Sequence, residues 1–176
     1  MVAQGEALGN RRKVLSSPER ARQNCRMPQS LAALHVHLIF STKDRTPFLG
    51  ENVREPLHGY LAGVLKEIEC HPIIINSMPD HIHLLFDLAR TIAISRVVEA
   101  LKTGSSKWLK TRDAKLAHFA WQSGYGAFAV SESNVTAVRE YIRDQAEHHR
   151  ARSFQDEFRA FLERHSLAYD EKYVWD

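Results

Sequence analysis

Alternating apolar and polar positions predict four β-strands in this chain. Residues 34–40 and 81–86 each place apolar side chains on one strand face and histidines on the other. A short apolar run at 73–75 predicts the strand that leads into the second histidine segment. Residues 119–130 predict the last strand, in which Gly124 and Gly126 mark a bend or a bulge.

Apolar positions at helical spacing predict two long helices between these strands. The first spans residues 53–68, with Pro56 in its first turn. The second spans residues 94–109, and Gly104 weakens it where the apolar stripe is interrupted at 103–106. The order β-α-β-β-α-β predicts an α+β, ferredoxin-like fold, with an antiparallel sheet and helices on one face. That arrangement leaves the other sheet face open.

Two histidines stand one residue apart in the third predicted strand, within the sequence Asp80-His81-Ile82-His83. Alternate side chains of a strand point to the same face, about 6.6 Å apart, so His81 and His83 can bind one metal ion. A His-x-His pair is also typical of polar residues on a hydrated sheet face. The pair alone leaves both interpretations open.

The first predicted strand carries a second pair, His35 and His37. If both strands belong to one sheet, all four side chains lie on the face away from the long helices. Periodicity does not say which pair holds a metal. The chain has 10 histidines, which makes chance proximity common.

An amphipathic helix is predicted over residues 133–149, after the last strand. Tyr141 and Gln145 are four residues apart, so they lie about 40° apart on the helix, and His148 falls within about 20° of Tyr141. A tyrosine beside an apolar stripe often packs at the core edge with its hydroxyl in water. Its phenol is also a candidate nucleophile.

In order and spacing, these motifs resemble the single-tyrosine HUH transposases of small bacterial insertion sequences, which include the REP-associated tyrosine transposases. The resemblance runs from residue 27 to the C-terminus. It rests on the histidine strand at 79–85, the helix with Tyr141 and Gln145, and the opening strand that leads into Ser-Thr-Lys-Asp-Arg at 41–45. It implies the ferredoxin-like fold with an added C-terminal tyrosine-bearing helix.

A specific reaction is implied by this resemblance: metal-dependent cleavage and rejoining of single-stranded or hairpin DNA through a 5′-phosphotyrosine on Tyr141. A phosphodiester repels nucleophiles, so its cleavage needs a positioned nucleophile and a cation that polarises the phosphoryl oxygens. The resemblance selects His81 and His83 as metal ligands and adds the amide oxygen of Gln145. Mn²⁺ suits two imidazoles and an oxygen better than Mg²⁺, though abundant Mg²⁺ also qualifies, and zinc ranks lower. Family members act as homodimers, some with the tyrosine helix exchanged between subunits.

Basic residues after the first strand and on the second long helix are candidates for contact with the DNA backbone. Each alone is typical of a hydrated surface, but as groups they suit a polyanion. The candidates are Lys43, Arg45, Lys102 and Lys107. Trp121 and Tyr125 can stack on unpaired bases, although strand aromatics more often belong to the core.

Charge and composition predict the domain organisation. Residues 1–26 carry six basic and two acidic side chains, while the 176-residue chain has a net charge of +3. We therefore expect 1–26 to be a basic, disordered extension, either an arm for nucleic acid or a segment upstream of a family-like start at Met27. Residues 27–152 are expected to form the transposase domain and 153–176 a C-terminal helix and docking tail.

No apolar run approaches 18 residues and no signal-peptide pattern is visible, which predicts a cytoplasmic protein without a membrane partner. The two cysteines, Cys25 and Cys70, indicate no disulfide framework. Two other function classes fit the same pattern: a non-catalytic nucleic-acid-binding module on the open sheet face, and a metallohydrolase that activates water on His81 and His83. Only the transposase requires the hydroxyl of Tyr141.

Overall fold

The computed structural model describes residues 31–149, 153–172 and 174–175. Backbone contacts divide the chain between Leu31 and Ala32, and every element below lies in the second unit. The predicted basic extension, residues 1–26, lies outside the described residues.

Four strands form one antiparallel sheet in this part of the chain. They are β1 (His35–Ser41), β2 (His71–Ser77), β3 (His81–Asp87) and β4 (Gly126–Val130). Their order across the sheet is β2-β3-β1-β4, with β1 and β3 in the centre. Together with the two long helices, this order confirms the predicted ferredoxin-like fold.

Two long helices cover one face of the sheet: α1 (Glu51–Glu67) and α2 (Ile94–Lys110). The stripe Leu57, Leu61 and Leu65 of α1 is fully buried. It packs with the apolar stripe of α2 and with the even-numbered residues of β1 and β3. Each buried leucine contributes about 2 kcal/mol of transfer free energy, so this layer is the main core of the fold.

The predicted helix over 94–109 is confirmed as α2, which continues through residues 103–106. There the Ser105 hydroxyl donates to Leu101 O (2.5 Å) and accepts from Trp121 Nε1 (2.9 Å). Two local predictions differ from the structure. The proline Pro56 is the sixth residue of α1, beyond its first turn. The last strand begins only at Gly126, because Trp121 makes just an isolated bridge to Thr42 and turns its ring into the core.

The second face of the sheet is covered by α3 (Val135–Arg143), α4 (Gln145–His148) and α5 (Phe154–Arg164). A smaller cluster joins Phe154, Phe158 and Leu162 of α5 to Ile39 and Phe128 of the sheet. The face that the ferredoxin-like core leaves open is therefore occupied in this conformation by the tyrosine-bearing helix, as expected, and also by α5, which packs on its own domain. Among the described helices, none has the length and apolar character needed to cross a bilayer.

Candidate active site

The two central strands place their histidines on one face of the sheet. In the β1–β3 register Ile39 is opposite His83 and His37 is opposite Leu85, so these side chains share a face. This is the face away from α1 and α2, as the strand pattern predicts. His37, His81 and His83 are all at most 1% exposed.

Hydrogen bonds occupy the Nδ1 atom of both histidines on β3. His81 Nδ1 donates to Asp80 Oδ1 (2.7 Å), and His83 Nδ1 is hydrogen-bonded to His37 Nε2 (3.0 Å). The Nε2 atom of His81 lies 3.0 Å from His149 Nε2. The Nε2 atom of His83 has no hydrogen-bond partner among the described residues. Within the described part of the chain, His83 thus keeps Nε2 free of hydrogen bonds, whereas His81 Nε2 is bonded to His149.

His35 has a different environment, although it is on the same face. Its two ring nitrogens lie 2.6 Å from Asp87 Oδ1 and 2.6 Å from Glu132 Oε2. Hydrogen bonds to these two carboxylates raise the pKa of His35. His35 therefore connects β1 and β3 to the turn that precedes α3, and the histidine cluster consists of His37, His81 and His83.

Helix α3 brings Tyr141 against this cluster within a single chain. The Tyr141 ring lies 6.4 Å from the His83 ring and 6.5 Å from the His37 ring, centroid to centroid. It stacks on His148 at 4.8 Å. Its hydroxyl donates a hydrogen bond to a carboxylate oxygen of Glu157 on α5. The candidate nucleophile and the candidate metal ligands are thus neighbours without a second subunit.

A side chain of β2 anchors the C-terminal end of α3. Asn76 Nδ2 donates to Ile142 O (2.7 Å) and Arg143 O (3.1 Å), two carbonyls at a helix end that lack intrahelical partners. The helix breaks at Asp144 (φ −94°, ψ 20°), and Gln145 follows. Gln145 is 0% exposed, and neither its amide oxygen nor its amide nitrogen meets a partner in the described part of the chain.

Glu157 lies at the centre of the site, although the sequence pattern did not single it out. The side chain of Glu157 is buried, with Oε2 3.0 Å from His149 Nε2 and Oε1 3.9 Å from His83 Nε2. One ligand atom from each of His81, His83 and Glu157 fits within 4.8 Å of the others. A signal was present in the sequence, because Glu157 is a charged residue at helical spacing (i+3) from Phe154, at the edge of the apolar stripe.

Burial keeps the clustered imidazoles neutral. It lowers the pKa of His83 well below 6.5, that of His37 to about 4, and that of His81 in spite of the hydrogen bond to Asp80. Burial alone would raise the pKa of Glu157, but hydrogen bonds from His149 and Tyr141 outweigh it and lower that pKa. The site therefore presents imidazole lone pairs next to a carboxylate.

This set of donors fits a divalent cation. Metal ligands must be neutral imidazoles or ionised carboxylates, which is the state that the surroundings favour here. Buried polar atoms are normally hydrogen-bonded, so His83 Nε2 and Gln145 Oε1, which have no partner among the described residues, need an explanation. A cation between His81, His83 and Glu157 supplies one for His83 Nε2.

The basic residues predicted to meet DNA have different environments. Lys43 is exposed and Arg45 half-buried, in a turn after β1 where Asp44 and Arg45 both have positive φ. Lys107 is exposed on α2, while Lys102 Nζ donates to the carbonyls of residues 122, 123 and 124 (2.9, 3.3 and 2.6 Å). Burial lowers the pKa of Lys102 to about 8.

The predicted aromatic candidates also differ in exposure. Trp121 is a core residue, and Tyr125 is 39% exposed.

Comparison with known proteins gives consistent results. Residues 30–145 match the family described as "Transposase IS200 like". The chain is 28% identical over 117 residues to the ISDra2 transposase TnpA of Deinococcus radiodurans, which covers 64% of this chain and 84% of that protein.

Two solved structures share the fold. One is a crystal structure of a candidate transposase from Deinococcus radiodurans R1, with 26% identity, a TM-score of 0.53, and coverage of 66% of this chain and 93% of that one. The other is a REP-associated tyrosine transposase bound to a REP hairpin, with 14% identity and the same TM-score of 0.53, covering 69% of this chain and 71% of that one. At 14% identity the second supports the fold alone.

Proposed function

We propose, from the premise that this chain belongs to the IS200-like transposase family, that Tyr141 is the nucleophile that cleaves and rejoins single-stranded DNA. The observation that carries the proposal is the convergence of three groups in one chain. They are the Tyr141 hydroxyl and the imidazoles of His81 and His83, brought together by α3 and β3.

The proposed chemistry forms one bond and breaks another. Tyr141 Oη attacks the phosphorus, an O–P bond to the 5′ phosphate forms, and the bond from phosphorus to the 3′ oxygen breaks. Glu157, which accepts the hydrogen bond of Tyr141, is the acceptor placed to take the phenolic proton. The leaving oxygen takes up a proton and becomes a 3′ hydroxyl. The reverse reaction joins a 3′ hydroxyl to the phosphotyrosine without ATP, because the enzyme-bound ester keeps the bond energy.

His81 and His83 would hold a divalent metal ion through their Nε2 atoms, with Gln145 Oε1 and a Glu157 carboxylate oxygen as further donors. A metal ion bound there supplies a Lewis acid that withdraws charge from the phosphoryl oxygens. The nitrogen ligands favour Mn²⁺ over Mg²⁺, which prefers an all-oxygen shell and keeps several waters.

DNA binding is proposed to be dominated by the phosphate backbone. Lys43, Arg45 and Lys107 have side chains that reach solvent, so they are the first candidates for phosphate contacts. Lys102 contributes its charge from a more fixed position, because three carbonyls already accept from its ammonium group. A relative of similar fold binds a REP hairpin, which makes hairpin DNA the first substrate to try.

We extend the proposal to domain organisation and assembly. Residues 27–152 would carry Tyr141 and the histidine ligands, and residues 153–176 would supply Glu157 and regulate access by packing on the same sheet face. A homodimer is expected from the family resemblance. Since Tyr141 and the histidines meet within one chain, such a dimer would not need to exchange its tyrosine helices.

The test is formation of a covalent adduct. Incubated with single-stranded DNA from the flanks of its own gene and Mn²⁺, the protein should form a complex that survives denaturation. Tyr141→Phe should abolish the adduct, since it lacks the attacking oxygen. The matched control is Tyr125→Phe, a change at an exposed tyrosine remote in sequence, which should leave the adduct intact.

The same experiment separates the two alternative functions. A metallohydrolase would still cleave DNA after Tyr141→Phe and would form no adduct. A binding module would shift DNA equally well in EDTA and after Tyr141→Phe, with no cleavage in any condition. Either pattern would contradict the proposed nucleophile.

A further inference from the structure

His83 and His81 are oriented by different kinds of partner. The Nδ1 atom of His81 is hydrogen-bonded to a carboxylate, Asp80, at 2.7 Å. The Nδ1 atom of His83 is hydrogen-bonded at 3.0 Å to another imidazole, that of His37 on the neighbouring strand. His83 and His37 are 0% and 1% exposed, so water does not substitute for either partner. The imidazole–imidazole bond is therefore the polar contact that sets the His83 ring.

We propose that His37 is a positioning residue, which holds His83 with its Nε2 atom directed at the metal centre. The inference rests on the proposed function, because it concerns the same centre. A neutral imidazole carries one proton, and Nε2 can bind a metal only when that proton is on Nδ1. His83 Nδ1–H then donates to His37 Nε2, and the proton of His37 resides on its own Nδ1. With the His37 proton on Nδ1, the bond fixes both the tautomer and the orientation of the ligand.

The geometry favours a positioning role for His37 over ligation. Its Nε2 atom is occupied by the bond to His83. Its ring is packed edge-on against Phe161 at 5.1 Å and lies 6.3 Å from Phe128. An imidazole in such apolar surroundings is costly to bury unless it is hydrogen-bonded, and His83 is the partner that satisfies it. Leu85 is directly opposite His37 in the register and lies on the same face of the sheet. This face therefore accommodates an aliphatic side chain, such as the one that His37→Leu would introduce.

The test measures Mn²⁺ affinity without DNA, by the loss of the free Mn²⁺ signal in electron paramagnetic resonance. His37→Leu removes the acceptor and should weaken binding about 10- to 100-fold, the usual effect of losing a residue that orients a metal ligand. His37→Gln should recover most of that loss, because its terminal amide reaches about as far as imidazole Nε2 and can still accept from His83 Nδ1–H. His83→Ala provides the reference for a lost ligand.

Nitrogen-15 chemical shifts of the metal-free protein give a readout that packing alone would not change. In the wild type and in His37→Gln, His83 should be in the form protonated on Nδ1, whereas His37→Leu should show a mixture of tautomers. Unfolding midpoints measured in EDTA check that each variant is folded.

Three results would overturn the inference. Wild-type affinity in His37→Leu would show that the orienting bond is dispensable. Loss in His37→Gln as complete as in His83→Ala would make His37 a ligand itself. If wild-type protein bound no Mn²⁺, or bound it unchanged after both His81→Ala and His83→Ala, the metal centre of the proposed function would fail as well. The first two results leave that centre intact.

Discussion

At the residue scale, Gln145 combines complete burial with an unpaired amide. Leaving a buried polar group without a partner costs about 1–3 kcal/mol, and replacing it by an apolar group of similar shape is often neutral or stabilising. The fold therefore tolerates Gln145 at a cost, which is typical of residues kept for function. A bound cation would recover part of that cost through the amide oxygen.

Gln145→Leu should consequently separate stability from metal binding. In EDTA its unfolding midpoint should equal or exceed that of the wild type, because an unpaired amide is replaced by an aliphatic side chain. The rise in midpoint on adding Mn²⁺ should be smaller than in the wild type, since one donor is lost. Thermal unfolding followed by circular dichroism, with and without Mn²⁺, measures both quantities.

A second buried glutamine provides the matched control. Gln122 Oε1 accepts hydrogen bonds from the backbone nitrogen (2.6 Å) and the hydroxyl of Ser41. Gln122→Leu should therefore lower the midpoint in EDTA and leave the Mn²⁺-induced rise unchanged. If Gln145→Leu behaved in the same way as Gln122→Leu, Gln145 would be a structural residue.

Periodicity predicted that His81 and His83 share a strand face and that Tyr141 and Gln145 share one side of a helix. The resemblance to the transposase family joined these two sets into one predicted site. Periodicity could not place Glu157 or decide between the histidine pairs. Both depend on tertiary contacts: Glu157 reaches the site through the docking of α5, and His35 is separated from His37 by its bonds to Asp87 and Glu132. Local patterns carry no information about such contacts.

At the element scale, α3 is held at both ends. Asn76 binds the carbonyls at its C-terminal end, and the turn before it is tied to the sheet through Glu132 and His35. Asp87, the last residue of β3, binds the other nitrogen of the same imidazole. Because Tyr141 sits on α3, these contacts set the height and direction of the phenol over the sheet.

The His35 contacts should make stability depend on pH. Hydrogen bonds to Asp87 and Glu132 raise the pKa of His35 in the folded protein above its ordinary 6.5. The folded state thus binds a proton more tightly, so the stabilisation is fully present below pH 6.5 and is lost as pH rises through the raised pKa. His35→Gln should lower the unfolding midpoint relative to the wild type at pH 6, with a smaller difference at pH 9. A difference independent of pH would contradict this assignment.

The boundaries of elements were harder to predict than their order. α2 runs through Gly104, where the hydroxyl of Tyr60 on α1 packs into the space that a Cβ would occupy. β4 begins late because Trp121, whose ring is hydrogen-bonded to Ser105 in the core, keeps only an isolated bridge to Thr42, and regular pairing with β1 starts at Gly126. In each case a long-range contact overrides the local signal.

At the scale of the whole molecule, α5 encloses the site. Phe154 stacks on His81 at 4.2 Å, Phe161 packs edge-on against Tyr141 at 5.7 Å, and Glu157 accepts from the Tyr141 hydroxyl. With His81 and His83 at most 1% exposed, a DNA phosphate reaches them only after α5 shifts. The cleavage rate on single-stranded DNA should therefore depend on how firmly α5 is docked.

Gly126 offers a way to loosen α5 without substituting any of the proposed catalytic or metal-binding residues. A Cβ at this position would lie 2.6 Å from Phe158 Cε2 and 2.9 Å from Phe128 Cε2, so Gly126→Ala must displace the ring that anchors α5. Phe158→Ala removes the same anchor from the helix side. Both variants should increase modification of the buried histidines by diethyl pyrocarbonate. They should raise the single-turnover rate of adduct formation where opening of α5 limits the reaction, and lower it where docked Glu157 is needed to accept the phenolic proton.

Gly59→Ala, a matched glycine-to-alanine change, tests whether these effects come from α5. Gly59 lies on α1, where nothing lies within 4 Å of the added Cβ, so this change should stabilise the helix by about 1 kcal/mol and leave histidine modification as in the wild type. If Gly126→Ala and Phe158→Ala increased histidine modification but left the adduct rate unchanged, α5 would open faster than the chemical step. If neither variant changed histidine modification, the main apolar anchor of α5 could be removed without exposing the imidazoles. Docking of α5 would then not be the cause of their burial.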